Sequence, residues 1–426
     1  MVTRSSRRVR LCLGDLYHQD VVEMIERETR KYELWTVESP DDPKFAPAYK
    51  LLWDAFGPQG EMEREEAIRK FVLDDPYEPT PGGTFFRYFL LLATDRDGNV
   101  RGARDGSVLI NPSYAPDLCV VYLSHIYMTP QARGTVLSYW LRIAPTELAV
   151  HFLADLHALG RLALPLPDAP GKYFGMRVNL TAEMEYWTPE DRLSLQRLLF
   201  YGRGGFDAVN PRHFPYRQPD FREPELIRAT GSQPKPFVIL LRRMGRERQA
   251  TLPLEEARAT MRLLYDEFAS HCQPEMLENS LQIVLDRLAE RSKTKSYVEL
   301  LPLPTGARDI ARLKRLFRYS VFRNYYRDEP ATRAYMQGGI RERLRENPKY
   351  VDEALAKIAA DLEARPAYVY GSRQKAFAWN GLPTDTAETP TGDLPEPVSL
   401  DLHELSDWGE LARSDPGLPP PEGTGG

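Results

Sequence analysis

Residues 122–138, YLSHIYMTPQARGTVLS, constrain the fold most because an apolar run ends where a helical pattern can begin. Met128 and Pro130 close the apolar run, and Arg133 and Gly134 follow it. A strand that passes through a tight turn into a helix leaves the N–H groups of the first helical turn without partners. Together with the positive end of the helix dipole, these groups form a site for a diphosphate. The stretch therefore predicts a strand, a turn and a helix with an anion site at the turn.

A second motif lies further along the chain in RLLFYGRGGF (residues 197–206). The two motifs together resemble the GNAT superfamily of acyl-CoA-dependent N-acetyltransferases. The first is similar to the family's V-x-P-x-x-R-G turn and the second to its Y-x-x-x-G-F signature. The matching residues are Met128, Pro130, Arg133 and Gly134 in the turn and Tyr201, Gly205 and Phe206 in the signature.

The resemblance covers about residues 31–245 and implies an α/β (α+β) fold, a mixed twisted sheet with flanking helices. The order of patterns agrees with it. Residues 32–40 are expected to form the first strand and residues 45–58 the first helix. Residues 88–110 predict a hairpin, since Asp97-Gly98-Asn99 between two apolar runs is a strong turn signal. Two further strands are expected in MRVNLTAEMEYW and KPFVILLRRM.

Proline complicates the helix after the turn. We expect this helix to begin near Gly134 and to kink or stop at Pro145, because proline lacks the N–H that continues a helix. Thr146 would then cap a following helix. The Pro-rich stretch at 164–175 is expected to be a loop that is longer than the family's usual connection.

The resemblance implies acetyl-CoA as acyl donor and assigns backbone groups to bind it. Ile126 and Met128 would direct N–H groups to the thioester carbonyl, where fixed dipoles stabilise an oxyanion. The diphosphate would bind the turn through Arg133, Gly134, Thr135 and Val136. Val136 and Ser138 replace glycines of the family's turn, and Val136 adds bulk where backbone must approach phosphate closely.

Acetyl transfer to an amine also needs an acid for the departing thiolate and a base for the attacking ammonium. The resemblance gives the acid role to Tyr201, whose phenol has a pKa near that of a thiol. The base is left open between Glu183 and Glu185, with Ser124 at a position where some relatives carry an acidic or basic group. Strand alternation would put Tyr122 and Ser124 on one face and His125 on the other, as a core residue.

Composition and length bound the rest of the chain. At 426 residues the protein is too long for one such domain, which predicts an N-terminal helical extension (1–30) and a mostly helical region (246–379). Residues 380–426 are acidic and Pro-rich, and we expect them to be disordered. Three scattered cysteines and the lack of a long apolar run favour a cytoplasmic protein without a metal site or membrane segment.

Two other functions remain open at this stage. The domain could be a catalytically degenerate GNAT-like binding or interaction module, which Val136 would favour. Alternatively, the arginines and aromatics of residues 306–350 could bind nucleic acid or protein. Net charge of −5 argues against nucleic acid as a partner. The amine acceptor is unidentified, and the sequence leaves homo-oligomer formation open.

Overall fold

The computed structural model describes residues 6–9, 23, 26–27, 30–133, 135, 137–163, 176–185, 192–231, 234–244, 246–247, 249–272 and 274–304. Within these residues the chain forms a mixed α+β fold, a single sheet of twelve strands with helices packed on both of its faces. No helix in the described ranges combines the length and apolar character that crossing a bilayer would require.

The strands are β1 (Arg7–Arg8), β2 (Tyr32–Thr36), β3 (Phe85–Asp95), β4 (Val100–Ile110), β5 (Leu118–Tyr122), β6 (Ile126–Met128), β7 (Arg177–Glu185), β8 (Asp207–Val209), β9 (Arg217–Gln218), β10 (Lys235–Arg243), β11 (Thr251–Pro253) and β12 (Tyr297–Pro302). The α-helices are α1 (Phe45–Phe56), α2 (Glu65–Leu73), α3 (Leu137–Ala158), α4 (Arg192–Arg203), α5 (Pro224–Thr230), α6 (Leu254–Phe268) and α7 (Pro274–Ser292). Short 3-10 helices occupy Gly57–Gln59 and Pro130–Ala132.

The sheet has the strand order β1-β2-β3-β4-β5-β7-β10-β8-β12-β11, with β6 paired to β4 and β9 to β10. Strands β5 and β7 are parallel, and the other described pairs are antiparallel. The hairpin of β3 and β4 is confirmed. Its turn is held by the Asp95 carboxylate, which accepts the N–H groups of Asp97 and Asn99, and Gly98 has a positive φ of 83°.

Alternate residues of the central strands face different helices. On β3, Leu91 belongs to the core cluster under α3 and α4, whereas Leu90 and Leu92 belong to the cluster under α1 and α2. On β5, Val121 faces α3 and Tyr122 faces α6. We call these sides the α3 face and the α6 face. Because both faces are covered, β5 is buried along its whole length and β3 along most of it, as their apolar sequences require.

The expectation that the helix could stop at Pro145 is wrong. Helix α3 runs without interruption from Leu137 to Ala158 with Pro145 inside it, so Thr146 is an interior helical residue rather than a cap. Apolar residues on both sides of the proline, including Leu141 and Phe152, are wholly buried against the sheet. Burial of such side chains contributes about 1.5–3 kcal/mol each. This packing outweighs the roughly 3 kcal/mol that an interior proline costs.

The sheet continues beyond residue 245 into the C-terminal part of the chain. Strand β12 pairs with β8, and β11 pairs with β12. Helix α6 is tied to the sheet by Glu256, which is 1% exposed and accepts hydrogen bonds from Arg177 (3.0 Å), Asn179 (2.7 Å) and Arg246 (2.8 Å). Residues 249–304 therefore pack on the sheet. Several expected parts of the chain lie outside the described residues: the helical region after residue 304, the tail from 380, the loop at 164–175 and most of the N-terminal extension.

Candidate functional site

The site is organised by a separation of two parallel strands. Strands β5 and β7 pair from Leu118 to Tyr122, and the N–H of Leu123 makes a last bond to the carbonyl of Thr181 at 2.8 Å. Beyond this point β6 pairs with β4, while residues 182–185 of β7 pair with β10. An opening therefore lies between residues 126–128 on one side and 182–185 on the other. No glycine or proline marks the interruption at 123–125 that produces the opening, so the sequence did not predict it.

Backbone groups on β6 point into this opening. The carbonyl of His125 accepts the N–H of Asp105 (3.2 Å), and the N–H of Thr129 donates to the carbonyl of Arg101 (3.0 Å). These bonds direct the odd-numbered residues toward β4, so alternation turns the N–H groups of Ile126 and Met128 to the opposite side. Both residues are half-buried. The N–H groups of Ile126 and Met128 thus have the direction expected for donors to a thioester carbonyl in the opening.

The turn after β6 leads directly into α3. Arg133 is held against the strand, since its Nε donates to the carbonyl of Met128 (3.2 Å) and its guanidinium stacks over the Tyr127 ring. The hydroxyl of Thr135 donates to the carbonyl of Ala132 (2.7 Å). The N–H groups of Arg133 and Thr135 make only long bonds of 3.4 Å within the turn. Gly134 and Val136 lie outside the described residues.

Glu183 lies on the α6 face at the edge of the opening. Its carboxylate accepts hydrogen bonds from the Tyr122 hydroxyl and from Gln218 Nε2, the latter at 2.7 Å. The Tyr216 hydroxyl approaches the same carboxylate without reaching hydrogen-bond geometry. Burial raises the pKa of Glu183 to about 7, although the neighbouring donors act in the opposite direction. A carboxylate with this pKa can both take up and release a proton near neutral pH.

Tyr201 lies on the α3 face, in the last turn of α4. Its ring packs at right angles to those of Phe200 and Phe206, with centroids 5.4 and 5.2 Å away, and it is 7% exposed. Gly205, with a φ of 81°, ends the turn after α4 and lets Phe206 fold back against Tyr201. A Cβ at Gly202 would lie 2.2 Å from the Pro304 carbonyl oxygen, so glycine is needed where α4 meets the chain after β12.

Three guanidinium groups from three different elements act electrostatically on Tyr201. Arg104 comes from β4, Arg142 from α3 and Arg197 from one turn earlier on α4. Arg142 Nη1 donates to the carbonyl of Phe200 at 3.0 Å. Burial raises the pKa of the Tyr201 phenol, and the positive charges of the three arginines lower it in part. No motif or local pattern in the sequence points to these arginines.

Glu185 and Ser124 occupy different surroundings from Glu183. Glu185 forms an ion pair with Arg197. Ser124 is half-buried in the interruption between β5 and β6 and makes no hydrogen bond with another described residue. Of the three candidate bases, Glu183 therefore has the surroundings that favour proton transfer near neutral pH.

His125 is buried, but the expected opposite face is wrong. It pairs with Asp105, which alternates on β4 with Arg104 and shares its face with Ser107. Ser107 donates to Glu267 of α6 at 2.6 Å, so this pair lies on the α6 face, the side of Tyr122 and Glu183. The interruption of the strand breaks the regular alternation on which the expectation rested.

Glu63, Asp105 and His125 place possible ligand atoms within 4.8 Å of one another, which raises the question of a metal site. His125 Nδ1 faces Asp105 Oδ1 at 2.9 Å, and Nε2 faces the carbonyl of Glu61 at 2.6 Å. Both ring nitrogens meet acceptors, so the ring donates from both and is positively charged. Burial opposes this charge, but Asp105 raises the pKa of His125 to about 10. A doubly protonated imidazole offers no lone pair to a metal, and the cluster is an ion pair.

Comparison with known proteins gives slight similarities. No family model and no curated protein sequence matches the chain. Among solved structures, a protein provisionally assigned as a phosphinothricin N-acetyltransferase aligns over 56% of this chain and 98% of its own, with 15% identity and a TM-score of 0.23. A GNAT superfamily phosphinothricin acetyltransferase from Sinorhizobium meliloti in complex with AcCoA aligns over 42% and 81%, with 18% identity and a TM-score of 0.19. These similarities are too slight to assign an activity.

Proposed function

We propose that the protein is an N-acyltransferase that transfers an acetyl group from acetyl-CoA directly to an amine. The observation that carries the proposal is the opening between β6 and β7, with Glu183 at its α6 face and Tyr201 on the α3 face. A base and an acid on opposite sides of one gap suit a reaction in which the nucleophile arrives from one side and the leaving group departs on the other.

The reaction needs no covalent intermediate on the protein. The amine nitrogen of the acceptor attacks the thioester carbon while Glu183 takes a proton from it. The carbonyl oxygen gains negative charge, which the N–H groups of Ile126 and Met128 stabilise. The C–S bond then breaks with its electron pair on sulfur, and Tyr201 donates its phenolic proton to that sulfur. The products are an N-acetyl amine and CoA with a free thiol, and proton exchange with water restores both side chains.

The described cysteines do not favour the alternative of an acyl-cysteine intermediate. Cys119 is wholly buried on β5, and burial raises its pKa far above the ordinary value of a thiol. Burial also raises the pKa of Cys272. A nucleophilic cysteine needs the opposite, a lowered pKa that yields thiolate at neutral pH. Direct attack by the amine is therefore the better supported route.

The turn after β6 is the proposed diphosphate site. The 22-residue helix α3 begins at Leu137 and directs its dipole toward the turn. The long, weak bonds of the Arg133 and Thr135 N–H groups leave these donors free to turn to phosphate oxygens. Gly134 and Val136 are assigned to the same site from the sequence motif.

Binding and turnover test the proposal separately. Acetyl-CoA at 100 times its dissociation constant should stabilise the full-length protein by about 2.7 kcal/mol in a thermal melt, and ATP at the same concentration should have a smaller effect. Release of CoA thiol should then depend on an added primary amine. Tyr201→Phe should lower this rate by about 10²- to 10⁴-fold and leave the melting shift with acetyl-CoA unchanged.

Phe200→Leu provides a matched control, because it alters the neighbouring aromatic residue without removing a hydroxyl group. An unchanged melt in saturating acetyl-CoA would refute the proposed donor. A clear melting shift without thiol release across a broad amine panel would instead favour the catalytically degenerate binding module.

A further inference from the structure

Arg104 is a positively charged side chain enclosed by the protein, and no acidic side chain among the described residues forms an ion pair with it. It is 0% exposed. Its Nη1 makes one long contact of 3.5 Å to the carbonyl of Leu141, and its Nε and Nη2 have no hydrogen-bond partner among the described residues. Burial lowers the pKa of the guanidinium to about 10, so the group still carries its charge at neutral pH.

A buried charge of this kind is costly, and most proteins pair it with an acid. Asp105 follows Arg104 in the chain, but it faces the other side of β4, where it binds His125 and Tyr88. Glu185 is paired with Arg197. The surroundings of Arg104 contain Arg142, a second cation, which opposes its charge. Apolar replacement of even a buried ion pair is often neutral or stabilising, so an unpaired buried charge is not explained by its contribution to stability.

The Arg104 guanidinium and the Tyr201 phenol affect each other's ionisation. Among charged groups, Arg104 has the largest effect on Tyr201, and Tyr201 has the largest effect on Arg104. The atoms link them as well. Arg104 contacts the carbonyl of Leu141, and the next residue, Arg142, donates to the carbonyl of Phe200 beside Tyr201. A negative charge formed at Tyr201 would be the missing partner of the Arg104 guanidinium.

We propose that Arg104 is kept without a counter-ion so that it stabilises the negative charge that forms at Tyr201 when its proton passes to the leaving sulfur. Arg104 is thus a positioning residue that acts through Tyr201, and this role rests on the function proposed above. The phenolic O–H breaks, the S–H bond forms, and the charge moves from sulfur to the phenolate oxygen beside the guanidinium. A fixed charge in a dry site needs no reorganisation at that moment, which makes it effective. Arg142 and Arg197 add to the same field, and Glu183 opposes it.

The experiment compares Arg104→Met with Arg104→Lys in the full-length protein. The pKa of Tyr201 is measured without substrate by NMR of tyrosine labelled with carbon-13, and Tyr201→Phe identifies its signal. We expect Arg104→Met to weaken the acidity of Tyr201 about tenfold or more and Arg104→Lys to restore most of it. Thiol release with acetyl-CoA and an amine should fall about 10²-fold in Arg104→Met.

Thermal melting separates this role from a structural one. Arg104→Met should melt at the wild-type temperature or above it, because the variant removes a buried unpaired charge. A lowered melting temperature with an unchanged pKa of Tyr201 would overturn the inference. The pKa of Tyr201 could shift in Arg104→Met while the wild type acetylates no amine. That result would support the electrostatic effect of Arg104 on Tyr201 and would refute the proposed enzymatic function.

Discussion

Pro145 and Arg104 meet at one backbone atom, the carbonyl oxygen of Leu141. In a regular helix that oxygen would accept the N–H of the residue four positions later, and here that residue is Pro145, which has no N–H. The Arg104 guanidinium approaches the freed oxygen at 3.5 Å. The proline thus leaves the Leu141 carbonyl oxygen available as an acceptor for a buried cation. In a regular helix that oxygen would already accept a backbone N–H.

We therefore expect Pro145→Ala to stabilise the protein and disturb Arg104. The new N–H would bond to the Leu141 carbonyl and compete with the guanidinium. The free energy of unfolding should rise by about 1–3 kcal/mol, as measured by denaturant titration. Pro47→Ala is the control, because Pro47 lies in the first turn of α1, where no helical hydrogen bond is lost, and should change stability by less than about 1 kcal/mol. A loss of stability in Pro145→Ala would show that the ring's packing outweighs the missing bond.

Glu183→Gln should remove the base and change the pH dependence of acetyl transfer. In the wild type the rate should rise as the pH passes through about 7 and then level off, because the ionised carboxylate is the active form. The variant should lose about 10²- to 10⁴-fold in rate and lack this rise. Glu185→Gln, two residues along the same strand, should retain the rise. If Glu185→Gln abolished it instead, the roles of the two carboxylates would be exchanged.

Glu183 should also affect stability with a definite sign. Its pKa is raised from 4.5 to about 7 on folding, so the folded state holds the proton more tightly than the unfolded state. The stabilisation that Glu183 contributes to the folded state is complete below pH 4.5 and is lost as the pH rises through 7. Urea titrations at several pH values should show a flatter dependence in Glu183→Gln than in the wild type across this window.

His125→Gln should cost about 3–5 kcal/mol because it leaves the Asp105 carboxylate buried without its cation. The folded pKa of His125 is raised from 6.5 to about 10. The resulting stabilisation is therefore complete below pH 6.5 and disappears as the pH rises through 10, and the variant should not show that loss. His151→Gln is the control, since His151 is 60% exposed and pairs loosely with Glu147 at 3.7 Å. Equal effects of the two substitutions on urea unfolding would contradict the buried ion pair.

Glu256→Ala should detach α6 from the sheet. The change leaves Arg177 and Arg246 without their common carboxylate, and we expect a loss of about 3–5 kcal/mol in urea unfolding. Glu255→Ala in the same helical turn has an exposed side chain and should change stability by about 0.5 kcal/mol or less. Similar small losses in both variants would mean that apolar packing alone holds the helix.

Local signals predicted the regular elements well. The DGN turn and its flanking apolar runs identified the hairpin, and the pattern of residues 45–58 identified α1. The break at Pro145 was predicted wrongly because helix propensity is local, whereas the contacts that keep α3 whole come from the sheet. The interruption at 123–125 was hidden for a related reason. No glycine or proline marks it, and what changes there is the pairing partner of the strand.

The candidate site was predictable in its residue types but not in its energetics. Motif similarity suggested Tyr201, and strand position suggested Glu183. Their proton affinities depend on groups far away in sequence, such as Gln218 and Arg104, which no local pattern connects to them. Arg104 itself looked like an ordinary polar residue of a hairpin strand. Its unpaired charge is a property of the three-dimensional packing.

The place of β12 in the sheet has a consequence for how the chain emerges from the ribosome. Strand β8 ends at Val209, but its partner β12 is completed only at Pro302. At synthesis rates of 5–20 residues per second, one edge of the sheet waits about 5–20 s for its partner strand. During that interval β8 presents unpaired backbone groups next to the nascent α4, a template for pairing with another chain. Pairing errors at this edge are therefore most probable before residues 297–302 have been synthesised.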